Sequence, residues 1–279
     1  MQKRHIAIAP ILIAIGLIAF KFFTAEKAVN PETGKEVRVS LSKQEEAALG
    51  LQGYREVLAK SQVVESGPEY EQVVRVARRL AAATGEGGRD FKWEVSVVKS
   101  NELNAFCLPG GKIVVYTGIL PATRTDAGLA AVMGHEMAHA TARHGAQRLF
   151  QDDIMQTAMN GAQQSIAELD PEQQKTIMGM IGAGAKFGVV LPFSRDHETE
   201  ADEMGILYMA RAGYDPRESI AFWQRMEKLG GQQPPEIMST HPSHGSRIQR
   251  LKEFMPKAMK EYEKSDKATA SDPATGEDQ

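Results

Sequence analysis

The sequence predicts an α+β fold, mainly helical, with one small sheet. Three observations carry this. Apolar residues recur with helical period over most of the chain, two short stretches near the middle alternate as strands, and the order is helices, strands, then helices. Composition agrees with a globular protein: 279 residues, 42% hydrophobic and 25% charged. That excludes a disordered chain, a collagen-like fibre and a polytopic membrane protein. A net charge of −3 gives no footprint for nucleic acid. Cys107 is the only cysteine, so no intramolecular disulfide and no cysteine-built zinc finger can form. It reads as a small buried residue rather than a reactive thiol.

Residues 1–25 contain Lys3, Arg4 and Lys21 and no acid, which leaves −6 on the remainder. From Ile6 to Phe20 the chain is unbroken apolar. As a helix that run is about 22 Å long, against a hydrocarbon core of roughly 30 Å. Phe22, Phe23 and a snorkelling Lys21 extend it to about 27 Å. No small-x-small cleavage site follows, so the segment reads as an uncleaved membrane anchor, with a cleaved signal peptide as the alternative.

Residues 26–40, EKAVNPETGKEVRVS, are polar with a Pro and a Gly and read as a linker. Ser42 with Glu45 makes a capping-box pattern that opens a helix to about Ala59. Ser66-Gly67-Pro68 opens another, with Val73, Val76, Ala77 and Leu80 on one stripe. Phe91, Trp93, Val95 and Val97 alternate with polar residues, so 91–98 is a half-buried strand. Pro109-Gly110-Gly111 is a turn before the strand 112–116, KIVVY. Beyond it the chain reads helical to about Lys260, with breaks near Pro171, Pro192, Gly213 to Pro216 and Gln232 to Pro242. Residues 264–279 are polar without periodicity and read as a disordered tail. One folded domain, 41–263, is thus expected between the anchor with its linker and the tail.

The chemistry concentrates at His135-Glu136-Met137-Ala138-His139, inside a helical stretch expected from about Asp126 to Phe150. His135 and His139 are one turn apart, so both imidazoles leave one face and can share an ion. Glu136 is rotated by about 100° from His135. It flanks the ion, where a general base can reach a water molecule. The surrounding residues 128–138 are mostly apolar, and two buried histidines there need a partner. Catalytic zinc takes three protein ligands and keeps one position open. Six of the seven histidines lie between 135 and 244, so His144, His197, His241, His244 or a carboxylate can be the third. His144, five residues past His139, points about 140° away on a continuous helix. The stretch 194–202, SRDHETEAD, offers more: Glu198 and Asp202 share a helix face. One can bind the metal while the other holds a ligand histidine by its distal N–H. Glu200 points the other way and reads as a solvated helix charge.

HExxH followed by a Glu-x-x-Ala-Asp helix resembles the gluzincin peptidases of the HtpX and CAAX prenyl endopeptidase type. Three further segments are similar to the envelope-facing branch typified by BepA and LoiP. They are Asn104 to Gly118 (NAFCLPGGKIVVYTG), Leu191 to Arg195 (LPFSR), and Thr240-His241-Pro242 with Arg247-Ile248. The resemblance covers roughly residues 42–262. It implies a zincin-like metalloprotease domain, one Zn2+ per chain, Glu198 as third ligand and Asp202 as the partner behind a ligand histidine. It also implies a periplasmic or envelope location.

The expected activity is zinc-dependent hydrolysis of peptide bonds in misfolded or damaged envelope proteins, with Glu136 as general base. His241, held extended before Pro242, is a candidate for stabilising the oxyanion, or for approaching the zinc in a resting state and making the enzyme latent. Arg247 is expected on a ligand carboxylate, on the substrate backbone or in a structural salt bridge. The strand Gly111, Lys112, Ile113, Val114 and Val115 is expected to be the sheet edge that pairs with an extended substrate. Residues 152–190 are a candidate lid, against the plainer reading of Met at helical spacing as core. The alternative function is a latent or non-catalytic, chaperone-like module holding polypeptide in the same cleft. Oligomeric state is not legible in the sequence.

Overall fold

The computed structural model describes residues 6–186, 190–229, 237, 241 and 247–271, the side chains of 191–193 and 266–271 excepted. The chain forms two compact units. One comprises residues 1–42 with 144–196, the other 43–143 with 197–279.

The first unit contains helix α1 (Ala9–Thr24), strands β1 (Glu26–Val29) and β2 (Glu36–Val39), and helices α7 (His144–Ser165) and α8 (Pro171–Ala185). Helix α1 lies along α7 because Gly161 has no side chain: a Cβ there would sit 2.4 Å from Ala14 Cβ. Lys21 Nζ fixes the pair by donating to Asp153 Oδ1 at 2.7 Å and Thr157 Oγ1 at 3.0 Å. Residues 26–40 are not a linker. They fold as an antiparallel hairpin with Glu26 opposite Val39, closed by Asn30 N–H donating to the Lys35 carbonyl. Gly34 takes φ 70° in its turn, and Val37 and Val39 bury against Ala146 of α7. The two-residue alternation of Val37 and Val39 was the signal, too short to outweigh the polar residues around it. Helix α8 has no buried residue, so its methionines are not core. No helix among the described residues is long and apolar enough to cross a membrane.

The second unit holds helix α2 (Lys43–Ala59), strand β3 (Val63–Val64), helix α3 (Pro68–Ala83), the single turn α4 (Gly85–Gly88), strands β4 (Glu94–Val98), β5 (Ala105–Leu108) and β6 (Lys112–Tyr116), and the short α5 (Leu120–Thr123). Helices α6 (Asp126–Thr141), α9 (Leu191–Arg211, from His197 onward), α10 (Glu218–Leu229) and α11 (Arg247–Ser271) complete it. The expected stripe Val73, Val76, Ala77 and Leu80 of α3 is buried. Helix α6 is buried without interruption from Gly128 to Ala138. It can be apolar all round because α3, α10 and β5 pack about it. Strand β4 starts at Glu94 rather than at Phe91, since the Trp93 indole donates to the Gly88 carbonyl at 3.1 Å and holds that approach in a turn.

Sheet order is β3-β4-β6-β5, with β4 and β6 parallel and the other pairs antiparallel. This overturns the expected edge. Strand β6 is paired on both sides, and Lys112, Ile113, Val114 and Val115 are buried, so neither they nor Gly111 offers a free ladder. The edge on that side is β5. Tyr116 N–H donates to the Asn104 carbonyl, so by alternation the backbone groups of Ala105 and Cys107 point away from β6.

The helix expected from Asp126 to Phe150 is two helices. Arg143 stands between them at φ 59°, its guanidinium donating to buried Glu46 with Nε–Oε1 at 2.8 Å. At the C-terminus α11 continues to Ser271, so the boundary placed at Lys264 is too early. Residues 272–279 lie outside the described residues, as do the breaks expected at 232–236 and Pro242.

Helices α6 and α9 meet through backbone at Gly134 and Gly205. A Cβ on Gly134 would lie 2.9 Å from the Gly205 carbonyl oxygen, and one on Gly205 would lie 2.9 Å from the His135 nitrogen. Gly205→Ala is therefore expected to destabilise the fold by roughly 1–3 kcal/mol and lower the melting temperature by several degrees. Gly145→Ala, which meets nothing within 4 Å, is expected to be neutral or mildly stabilising. Thermal melts of both variants check this; equal effects would remove the close approach as the cause.

Candidate active site

Three helices of the second unit build the site. Helix α6 begins where the Thr125 hydroxyl accepts from Gly128 N–H at 3.0 Å. From there it carries His135, Glu136 and His139 into the core. His135 and Glu136 are buried, and the His139 side chain is 15% exposed. Helix α9 brings Glu198 and Asp202, both buried. Helix α11 begins with Arg247, whose side chain is almost wholly enclosed. His241 is the fourth contributor.

The donor atoms have the spacing of a metal shell. His135 Nε2 and His139 Nε2 are 3.2 Å apart, His135 Nε2 and Glu198 Oε2 3.4 Å, and His139 Nε2 and Glu198 Oε1 3.5 Å. Ligands at about 2.0–2.1 Å around a tetrahedral zinc lie about 3.3–3.4 Å from one another. The three residues therefore fit the ion that the motif implies. His241 Nδ1 lies 3.4 Å from His135 Nε2 and 3.0 Å from Glu198 Oε1, so it stands near a fourth corner of the same figure. Among the described residues the cluster is His135, His139, Glu198 and His241. His144 and His197 are buried but outside it, and His244 lies outside the described residues.

Charge points the same way. Glu136, Glu198 and Asp202 are buried with one guanidinium, and a buried excess of negative charge demands a cation. Burial alone would lower the pKa of His135. Asp202 and Glu198 reverse this and lift it to about 9, drawing a proton to the spot where a metal would sit. Glu198 is held well below the usual carboxylate range: burial opposes ionisation, but His135 and His241 overcome it. Glu136 is pushed up by burial, only partly offset by the two histidines. Its Oε1 has no hydrogen-bond partner and lies 3.5 Å from His241 Nε2.

Behind the ligands, His135 Nδ1 sits 2.9 Å from Asp202 Oδ1, close enough for an ion pair though bent from a linear hydrogen bond. Arg247 donates from Nε to Asp202 Oδ2 at 2.8 Å and from Nη2 to Glu198 Oε2 at 2.6 Å. The guanidinium thus bridges Glu198 and Asp202, contacts that serve the expected setting on a ligand carboxylate and that of a structural salt bridge alike. Its other face covers the Trp223 ring at 4.1 Å, and that ring meets His135 edge-on with centroids 5.3 Å apart. Sequence reasoning missed Trp223, whose only signal was its place on the apolar stripe of α10. Glu200 is buried, so the solvated reading of that residue does not hold. Cys107 lies on β5, its thiol pushed well up by burial and by the Glu136 charge. Gly111 to Val115 are not among the cluster's residues.

Removing one ligand leaves a buried, uncompensated set of charges. His135→Ala, His139→Ala and Glu198→Ala are each expected to abolish tight zinc binding, while Asp202→Ala weakens it by about 10–100-fold. Glu136→Gln should retain zinc fully. Metal content after dialysis against a graded chelator, read by atomic spectroscopy, orders the five variants; loss of zinc from Glu136→Gln would move that residue into the ligand set.

Comparison with known proteins agrees with this geometry. The family model described as peptidase family M48 matches residues 69–255. Over 226 residues the chain is 35% identical to the mitochondrial metalloendopeptidase OMA1 of Schizosaccharomyces pombe, covering 79% of this chain and 64% of that one. It is 30% identical over 260 residues to the human mitochondrial metalloendopeptidase OMA1, covering 89% and 50%. With the beta-barrel assembly-enhancing protease of Escherichia coli it shares 26% over 254 residues, covering 89% and 51%. The chain thus spans about half to two thirds of the length of these relatives. The OMA1 proteins match at higher identity than the beta-barrel assembly-enhancing protease, so the likeness is not to the BepA branch in particular. A matched region that runs from α3 into α11 takes in every residue of the metal cluster, and the chain belongs to peptidase family M48.

Proposed function

We propose that this chain is a zinc-dependent endopeptidase acting on unfolded or damaged polypeptides. The observation that carries the reading is the three-cornered donor set of His135, His139 and Glu198 with the buried Glu136 carboxylate beside it. Zinc held by those three residues supplies a Lewis acid that acidifies water and polarises a carbonyl. Glu136 then has the general-base role. Its carboxylate, raised by burial, takes a proton from water and passes it to the leaving amine. Asp202 keeps the His135 ring oriented, and Arg247 holds the Glu198 and Asp202 carboxylates in place.

Substrate enters as an added strand on β5, which packs beside α6. Ala105 is buried, so the open part of that edge is at half-buried Cys107, whose outward backbone groups pair with an extended peptide whatever its side chains. Such recognition suits a protease of misfolded chains better than one of a fixed motif. Attachment to a membrane through residues 6–23 would put it beside envelope proteins.

His241 favours the latent form. With Nδ1 against Glu198 and Nε2 facing Glu136, the ring takes the fourth corner and faces the base. Activity then requires His241 to leave.

Cleavage of casein by the zinc-loaded full chain, run beside Glu136→Gln, tests the reading. The variant is expected to lose activity by about 10²–10⁴-fold while keeping zinc. Equal cleavage by both would end the proposed mechanism. His241→Ala is expected to cleave faster than the parent if the ring closes the site. A fall of about 10²–10³-fold would instead assign it to the oxyanion.

A further inference from the structure

The first unit presents two apolar surfaces with one electrostatic character. On α1, Leu12, Ile15, Phe20 and Phe23 are exposed, Leu12 at 62% and Phe23 at 79%. On α8, Met180 is 63% exposed and Ile181 is also exposed. Both helices pack on α7, and neither covers these side chains. Apolar exposure on this scale marks a surface made for something other than water.

Charge indicates what that something is. Residues 1–25 carry Lys3, Arg4 and Lys21 without an acid. Residues 171–195, which contain α8, carry Lys175, Lys186 and Arg195 against one acid, Glu172, a net +2. With these two segments taken out of a chain of net charge −3, the rest carries −8. Positive charge is thus concentrated on the two segments that also expose apolar side chains, in a chain otherwise acidic. A second copy of this chain would bring a net negative surface to them. An anionic lipid surface brings apolar depth with negative headgroups, and matches both properties at once.

We propose that α8 is a second membrane-contacting element, so that the first unit binds an anionic bilayer at two places, α1 and α8. The proposal rests on the reading of residues 6–23 as a membrane segment and adds a contact that the reading does not contain. Helix α8 lies in the interface: 15 residues make about 22 Å, too short to cross, and Lys175 in its second turn and Lys186 at its C-cap reach headgroups while Met180 and Ile181 enter the acyl boundary.

The test uses zinc-loaded full chain with Cys107→Ala, carrying one environment-sensitive fluorophore at Leu12→Cys or at Met180→Cys. Circular dichroism first verifies folding of each. Vesicles are phosphatidylcholine alone, or phosphatidylcholine with an equal part of phosphatidylglycerol, with and without a lipid-borne quencher. Both labels are expected to shift to the blue and to be quenched on the charged vesicles. Lys175→Gln and Lys186→Gln should weaken the Met180 signal by roughly fivefold for each cation removed. A Leu12 response without a Met180 response overturns the proposal and leaves the anchor standing. No response from either label removes the anchor reading as well. A Met180 shift that grows with protein concentration in the absence of lipid assigns the surface to a second copy and overturns the proposal.

Discussion

The site depends on one constraint: the carboxyl groups of Glu136, Glu198 and Asp202 are buried around one pair of histidines, and their charge must be neutralised. Arg247 satisfies part of it by donating to Glu198 and Asp202 together. His135 and His139 are placed to satisfy the rest, with donor atoms that could share a cation with Glu198. The contributors are divided among three helices, so the charges cannot be matched unless α6, α9 and α11 are in register. The glycines at the crossing make that register reachable. Gly134 and Gly205 let the α6 and α9 backbones touch, and the functional side chains on either side then reach one another without extending into solvent. A side chain at either position would separate the helices by an amount comparable with the tolerance of a metal shell.

Burial has a chemical consequence for Glu136. A carboxylate in an apolar core is a stronger base than one in water, because its charged form is poorly solvated. The same burial, with the Glu136 charge, pushes the Cys107 thiol well up, so β5 offers no ready thiolate nucleophile. Trp223 contributes to both effects. It walls His135 on one side and stacks under the Arg247 guanidinium on the other, keeping water from the charges that orient the ligands.

Much of this was legible in the sequence because it is local and periodic. The spacing of His135 and His139, the shared face of Glu198 and Asp202, and the stripe of α3 all follow from 3.6 residues per turn. What was not legible depends on chain segments far apart. Strand β6 looks like an edge strand from its own residues. Only pairing with β4, which arrives from the other side in parallel, makes it central. The break after Thr141 depends on Glu46, nearly a hundred positions away, whose ion pair accompanies the positive φ of Arg143. The hairpin at 26–40 shows the opposite difficulty: its two strands are so short that turn residues dominate its composition, and a polar stretch with Pro and Gly reads the same whether or not it pairs.

The order of the chain explains why the third ligand comes from so far along the sequence. Residues 144–196 are an insertion of about fifty residues that belongs to the first unit, and its ends fall at the metal site's own elements. It leaves after Arg143, four residues past His139, and returns at His197, one residue before Glu198. His144 is nearer in sequence but starts the insertion, so it goes with α7. A ligand set that joins His139 to Glu198 closes this long loop at its base. The entropy of closure grows only slowly with loop length, so a large insertion is tolerated at such a place. Because the Arg143–Glu46 pair fixes one end and Glu198, packed against His135 and His139, fixes the other, the inserted residues are free to carry a separate surface. The exposed Met180 and Ile181 of α8 lie in this part of the chain, apart from the buried carboxylates of the second unit.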